Sequence, residues 1–294
     1  MDLMTTRSNE FIDLNDINTK YHYKVKTPSI FNTRQNDTTS DRYQVFSTMD
    51  AINRLDKHGY LPTQIKQAYS RKNPNQTNQF QKHVIRFAHR NQDLMAKEYP
   101  EIILYNNHQG EQALSLLLGC YRLVCDNGHV SGYGTNQKLK HFQSNKNIFD
   151  AMVQETIDGI NKMNNIIDRL KSVDLTDNQI YDLTKNTMQN RWEYANSEQD
   201  MQKDEFTNQL ISKAYFNDDT IKQVSTPNRV EDSGKNGWRV FNTIQENFSK
   251  PLSIFSVSKQ SKTANIRQSK ALMSIDDNKA INLAMWRYAE EILA

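Results

Sequence analysis

One stretch of the sequence has a spacing of apolar side chains that few folds can accommodate. Between Phe149 and Leu170 these side chains, with Thr156 among them, are separated alternately by four and by three residues. The mean spacing of 3.5 residues is typical of a helix that packs along a continuous seam. The sequence therefore predicts a long helix over residues 147–171 that carries an oligomer seam. This seam consists of Phe149, Val153, Ile160, Met163, Ile167 and Leu170.

Two interpretations of this seam are open. The helix can pack in the core of its own chain, or it can pair with a second copy of the chain or with a partner. The sequence contains 32 Asn and 22 Gln but only nine Gly and six Pro, which favours long elements with large solvated surfaces. An amide-rich chain with a long seam suits an extended oligomer that binds large partners, so we expect self-association.

The first half of the chain has the two-residue alternation of β-strands instead of a helical period. Strands are predicted at residues 60–69, 81–88, 101–105, 121–125 and 129–133. The Asn127-Gly128 pair favours a tight hairpin turn between the last two of these strands. Ser47 is predicted to cap a helix that ends near residue 58. We therefore expect an α+β fold, with an N-terminal antiparallel sheet and helices followed by a mainly helical C-terminal half.

These patterns predict three regions along the chain. They are a flexible N-terminal arm with one short strand at 21–25 (1–40), an α+β domain with the antiparallel sheet (41–142) and a mainly helical region (143–294). Within the helical region, Thr176 and Gln179 have the spacing of a capping box at the start of a second helix. Further helices are predicted over 206–216, 238–248 and 275–293.

The residues do not assemble a recognisable catalytic or metal-binding motif. Cys125 and His129 are four residues apart, with Cys120, His83, His89 and His108 in the same half of the chain. Zinc sites usually pair their ligands at C-x₂₋₄-C spacing, whereas the two cysteines flank a predicted strand at odd spacing. The sequence therefore favours buried structural cysteines, and we expect no metal, no cofactor and no enzymatic activity.

The charge distribution is more informative than the small net charge of +3. The stretches between Asp56 and Asp93 and between Glu246 and Asp276 contain no acidic residue. Basic residues interleaved with aromatic ones can contact a phosphate backbone and stack on bases, although a solvated basic surface is the other interpretation. The candidate nucleic-acid or partner-binding residues are Lys66, Arg71, Lys72, Lys82, Arg86, Arg90, Lys259, Lys262, Arg267 and Lys270.

Two segments of the sequence resemble one known family. The first contains Asn107-His108-Gln109-Gly110 and an RLVC-x-NG block over residues 122–128. The second has a W-x-x-FN-x-x-QEN block over residues 238–247. Together they resemble the large phage/plasmid-like domain of unknown function that is common in enterobacterial prophages and integrative elements. The resemblance covers roughly residues 40–294 and implies an origin in a mobile genetic element.

Two functions agree with these observations. The first is a phage-encoded accessory protein that binds a host protein complex, such as a DNA-targeting defence system, and inhibits it without catalysis. The alternative is a single-stranded DNA-binding or annealing factor in phage or plasmid recombination. The N-terminus has no apolar signal segment and no stretch has the roughly 18 apolar residues of a membrane span. We therefore expect the protein to be located in the cytoplasm of the bacterial host cell, without contact with a membrane.

Overall fold

The computed structural model describes residues 2–7, 10–70, 78–110, 112–122, 133–141, 146–197, 218–250, 253–257, 264–268 and 275–293. The chain divides into two compact units. The first comprises Met1–Asp126 and Val130–Met163, and the second comprises Asn127–His129 and Asn164–Ala294.

The first unit holds the six-stranded sheet and the short N-terminal helices. Its elements are β1 (Asp2–Arg7), α1 (Leu14–Thr19), α2 (Tyr21–Lys26), a 3₁₀ turn (Pro28–Phe31), α3 (Thr48–Lys57), β2 (Tyr60–Tyr69), a second 3₁₀ turn (Asn78–Phe80), β3 (His83–His89), β4 (Glu98–Asn106), β5 (Leu114–Arg122) and β6 (Tyr133–Leu139). Helix α4 (Lys146–Ser172) begins in this unit and ends in the second.

The second unit is mainly helical. Its further elements are α5 (Asp177–Ser197), α6 (Asp218–Ser225), a 3₁₀ turn (Val230–Asp232), α7 (Gly237–Ser249), β7 (Ser253–Val257), β8 (Ala264–Gln268) and α8 (Ile275–Leu293). The predicted α+β fold, with its sheet in the first half and helices in the second, is confirmed. The predicted helix at 206–216 lies outside the described residues.

The strands β1 to β6 form one antiparallel sheet in chain order, so each strand pairs with the strands that precede and follow it. Three consecutive residues of β4, Ile102, Ile103 and Leu104, are fully buried. Because successive side chains of a strand point to opposite faces, both faces of the sheet are covered at this point. The predicted hairpin is present in part: β5 ends at Arg122 and β6 begins at Tyr133, and the Asn127-Gly128 turn lies outside the described residues.

Helix α3 forms where its capping signal predicts. The Ser47 hydroxyl accepts a hydrogen bond from the Asp50 backbone N–H at 3.3 Å, which satisfies one of the free donors at the helix start. The helix ends at Lys57, and Gly59, just beyond the cap residue His58, has a φ of 83° in the left-handed region that glycine favours. Its inward side chains, including Ile52 and Leu55, are fully buried.

The predicted oligomer seam on α4 is already covered within a single chain. The structure buries Phe149, Val153, Met163, Ile167 and Leu170, and half-buries Ile160. In the first unit Phe149 packs against Phe46 at 5.0 Å between ring centroids, and in the second unit Leu170 lies against Gly237. The long helix is confirmed, but its seam is not an exposed stripe and is not available to a second copy. The 3.5-residue period reflects a long buried face, which a core helix also has.

The structure corrects the prediction that the N-terminal arm is flexible. Strand β1 pairs with β2 over six residues, from Asp2 opposite Tyr69 to Arg7 opposite Gln64. Residues 21–25, predicted as a strand, belong to helix α2. The side chains of Ile17 and Ile30 are fully buried. The polar composition of residues 1–40 concealed these few apolar anchors, which fix the segment to the unit.

The second unit has an aromatic core between α7 and α8. Trp238 stacks on Phe241 at 5.5 Å, and Phe241 packs against Trp286 of α8 at 4.8 Å between ring centroids. Helix α5 begins with the predicted capping box: the Gln179 side chain accepts a hydrogen bond from the Thr176 backbone N–H at 2.9 Å, and the Gln179 N–H donates to the Thr176 hydroxyl. The predicted helices at 238–248 and 275–293 are confirmed.

We predict that a charge introduced into the buried face of α4 lowers the stability of the fold without changing the oligomeric state of the chain. Val153→Asp buries an unpaired carboxylate and should lower the free energy of unfolding by about 3–5 kcal/mol. Ala151→Asp, which adds the same charge to an exposed position of the same helix, is the matched control and should have little effect. Urea unfolding followed by circular dichroism measures the stability, and size-exclusion with light scattering measures the mass. A Val153→Asp protein that stays stable but dissociates from a dimer to a monomer would contradict this prediction.

Candidate nucleic-acid interface

A buried hydrogen-bond cluster at one end of the sheet centres on His83, the first residue of β3. The Ser29 hydroxyl donates to the backbone carbonyl of Gln81 at 2.6 Å and lies 2.6 Å from Nδ1 of His83. On the opposite side of the ring, the Thr48 hydroxyl lies 2.9 Å from Nε2. This pattern assigns the ring proton to Nδ1, which donates to Ser29, and makes Nε2 the acceptor for Thr48.

The side chain of Gln67, at the end of β2, extends this cluster to the loops. Its Oε1 accepts a hydrogen bond from the Ser29 backbone N–H at 2.9 Å, and its Nε2 donates to the Asn78 carbonyl at 2.8 Å. Gln67 thereby joins the 3₁₀ turn that follows α2 to the 3₁₀ turn that precedes β3. Since Gln67 is only 1% exposed, both bonds are shielded from water, and the two turns are held against each other.

Two further histidines, His108 and His141, complete the cluster. The rings of His83 and His108 are 5.6 Å apart, and His141 stacks on Tyr43 at 4.7 Å. Burial lowers the pKa of His83 to about 4. Burial, with His83 and His141 close by, lowers the pKa of His108 to about 2, and burial also lowers the pKa of His141. All three rings are therefore neutral at pH 7.

The cluster is a buried packing and hydrogen-bonding element of the first unit. His83, His108, Ser29 and Thr48 have no exposed surface. The described part of the chain contains no group of three or more His, Cys, Asp or Glu side chains placed to hold a metal ion. None of its helices is long and apolar enough to cross a membrane.

The segment fixed by this cluster presents an exposed basic and aromatic surface. In α2 the side chains of Tyr21 and Val25 are 79% and 52% exposed, and Lys24 and Lys26 are exposed beside them. No acidic residue occurs between Asp16 and Asp37. Lys24 and Lys26 form no ion pair with any residue that the structure describes. We call Tyr21, Lys24, Val25 and Lys26 the α2 surface.

The predicted basic residues of β2 and β3 are only partly available. Lys66 and Lys82 are half-buried. Arg86 forms a buried ion pair with Glu101 of β4 at 2.8 Å, with side chains 5% and 1% exposed, so its assignment as a nucleic-acid contact was wrong. A buried arginine whose charge is satisfied by a carboxylate cannot also bind a phosphate. Arg90 is exposed and pairs with Asp56 at 2.7 Å.

The side chains of the other predicted basic residues lie outside the described part of the structure. Arg71, Lys72, Lys259, Lys262 and Lys270 lie outside the described residues. Arg267 is in β8, which pairs with β7, but its side chain is outside the described part. The acid-free stretch between Glu246 and Asp276 thus contains two short antiparallel strands, β7 and β8. The sequence analysis also missed the α2 surface. The lack of acidic residues from 17 to 36 could have indicated it, as it did for the stretches between Asp56 and Asp93 and between Glu246 and Asp276.

The QEN block on α7 is a packing and anchoring cluster, as its position beside Trp238 and Phe241 predicts. Glu246 forms ion pairs with Arg229 at 3.1 Å and with Lys250 at 2.5 Å. The Asn247 side-chain amide donates to the carbonyl oxygens of Val224 at 3.0 Å and of Thr226 at 2.7 Å. These bonds tie the end of α6 and the residue that follows it to α7. In the NHQG segment, His108 belongs to the buried cluster of the first unit.

The lowered pKa values predict a loss of stability in mild acid. Below the ordinary histidine pKa of 6.5 the unfolded chain takes up protons that the folded cluster does not, so stability falls with pH from 6.5 toward the folded values of about 4 and about 2. Each such histidine contributes about 1.4 kcal/mol per pH unit in this window. His108→Gln should therefore reduce the pH slope of the unfolding free energy by that amount between pH 6 and pH 4.5, measured by urea unfolding. Equal slopes for His108→Gln and the unmodified protein would contradict the prediction.

Comparison with known proteins places the chain in a family. It is 26% identical over 275 residues to the UPF0380 protein YafZ of Escherichia coli (strain K12), a match that covers 90% of this chain and 88% of that protein. It is 25% identical over the same length to the UPF0380 protein YfjQ of that strain, with the same coverage. No solved structure matches the sequence at a significant level. Residues 36–273, well over half of the chain, match the family described as "Domain of unknown function (DUF932)", and the chain therefore belongs to the DUF932 family.

Proposed function

We propose that this chain is an accessory protein of mobile genetic elements that binds DNA without catalysis, through the basic end of its first unit. One observation carries the proposal. The acid-free segment that contains the α2 surface is hydrogen-bonded through Ser29 and Gln67 to the acid-free β2–β3 hairpin. These bonds hold the segment that carries the α2 surface at the end of the β2–β3 pair where Lys66 and Lys82 lie.

The physical basis is the absence of competing acids in these two stretches. A lysine that already pairs with a carboxylate gains little by exchanging it for a phosphate, whereas an unpaired lysine releases condensed counterions from DNA when it binds. Lys24 and Lys26 are exposed and have no ion pair with a described residue, in contrast to Lys20, which pairs with Asp16 at 2.6 Å. They are therefore the side chains that we assign to phosphate contact.

The buried histidines support a non-catalytic role. A general base must reach the proton that it abstracts, and the three rings are enclosed within the first unit. Their neutral state contributes no charge to the binding of a phosphate. We assign to them the positioning of the α2 surface.

A second function, inhibition of a host DNA-targeting defence complex by protein–protein contact, is favoured by one observation. Tyr21 and Val25 are one helical turn apart and form an exposed apolar pair on α2, and aromatic residues are enriched in the cores of protein interfaces. Self-association belongs to the same proposal, but it requires a surface other than the buried face of α4.

We predict that the charge of the α2 surface determines both affinity and salt dependence. A variant with Lys24→Ala and Lys26→Ala should bind a 20-nucleotide DNA strand more weakly at low salt. Its plot of log affinity against log salt should be less steep by about 1.4, because each phosphate contact to a single strand contributes about 0.7. Fluorescence anisotropy between 50 and 300 mM salt measures both quantities.

The matched control removes two charges elsewhere in the same unit. Lys97 and Lys162 are also exposed, and their replacement by Ala should leave the salt slope within error of the unmodified protein. If both double variants lose the same slope, the binding is a general effect of net charge and the site assignment fails. If the unmodified protein does not bind DNA but co-purifies from host lysate with a defence complex, and Tyr21→Ala abolishes that capture, the second function replaces the first.

A further inference from the structure

Among the Phe and Tyr side chains of the first unit that the structure describes, Tyr21 alone is exposed. Its neighbour Tyr23 is buried, and burial raises the pKa of the Tyr23 hydroxyl. The Thr27 hydroxyl donates to the Tyr23 carbonyl at 2.8 Å and closes the last turn of α2. One side of this short helix is therefore fixed to the unit, and the opposite side holds Tyr21 and Val25 in the solvent.

We propose that the α2 surface selects unpaired nucleotides, with the Tyr21 ring stacked on a base, Val25 packed beside it, and Lys24 and Lys26 on the adjoining phosphates. This inference rests on the proposed DNA binding and adds to it the class of strand that is bound. An aromatic ring fixed on a rigid element next to cations is the arrangement with which proteins bind single strands without sequence preference.

The alternative of a double-stranded ligand fits the surface less well. In a duplex the faces of the bases are already stacked on one another, and a side chain on a short helix would have to unstack them at a cost of a few kcal/mol. Lysines alone are enough for duplex phosphates, which leaves the exposure of Tyr21 and Val25 without a role. A single strand has base faces free for these side chains.

A protein ligand also fits the surface less well. The central parts of protein interfaces are depleted of lysine, whereas here Lys24 lies between Tyr21 and Val25 in sequence and Lys26 follows directly. None of the four residues of the α2 surface is acidic, and no acidic residue occurs between Asp16 and Asp37 in the sequence. Charge complementarity thus favours a polyanion.

The test compares Tyr21→Ala, Tyr21→Trp and the unmodified protein on two labelled DNAs, a 20-nucleotide oligothymidine and a hairpin duplex of equal charge. The unmodified protein should prefer the single strand. Tyr21→Ala should weaken single-strand binding about tenfold and leave duplex binding and the salt slope unchanged, because one stacked base is lost and no phosphate contact is removed. Tyr21→Trp should retain the preference. Tyr181→Ala, at a part-exposed tyrosine of the second unit, is the control for loss of an aromatic ring.

Each outcome has a defined meaning. If Tyr21→Ala binds the single strand as the unmodified protein does, while the Lys24 and Lys26 variant binds it more weakly, the base-stacking inference is wrong and the proposed DNA binding stands. Equal affinity of the unmodified protein for the two DNAs overturns the inference in the same way. If the unmodified protein binds neither DNA, both proposals fall. Melting temperatures of the four proteins should agree within about one degree since Tyr21 makes few contacts, and a Tyr21→Ala protein that melts much earlier would assign the residue to folding.

Discussion

The buried contact between Ser29 and His83 is the interaction on which the architecture of the first unit depends. It joins a 3₁₀ turn near the N-terminus to the first residue of a central strand, across more than fifty positions of sequence. Both side chains are completely buried, so loss of either one leaves the other without its partner in a medium that cannot replace it. The orientation of α2, and with it the exposure of Tyr21, follows from this bond and from the Gln67 bonds beside it.

Much of the fold could be predicted because local signals and tertiary structure agree. The capping residues Ser47 and Thr176 mark helix starts that are present in the structure, and the alternation over 60–69 became β2. The polar N-terminal segment was misjudged because a few anchors, such as Ile17 and Ile30, are enough to order it. Periodicity along α4 fixed the helix but not its partner, since a core face and an oligomer face have the same spacing of side chains.

The candidate site was harder to predict than the fold, because charge in a sequence does not say where the charge is directed. Arg86 and Lys24 are both basic residues in acid-free stretches of the sequence. In the structure, however, Arg86 is neutralised by Glu101 inside the sheet, whereas Lys24 is exposed to solvent. The strand register decides this, since it places Glu101, on the neighbouring strand, near Arg86. The histidines could be identified in the sequence as possible metal ligands. Their contacts with Ser29 and Thr48 could not be predicted, because these contacts join residues up to sixty positions apart.

The chain-order pairing of the six strands has a consequence for the time at which the surface forms. Because each strand pairs with the one made just before it, the sheet can grow hairpin by hairpin while the chain is being synthesised from its N-terminus. Helix α2 is made early but acquires its fixed position only when Gln67, Gln81 and His83 have emerged, since these residues hold Ser29. All of them precede the midpoint of the chain, so the end that presents Tyr21 can be in place on the ribosome before translation of the helical second half has begun.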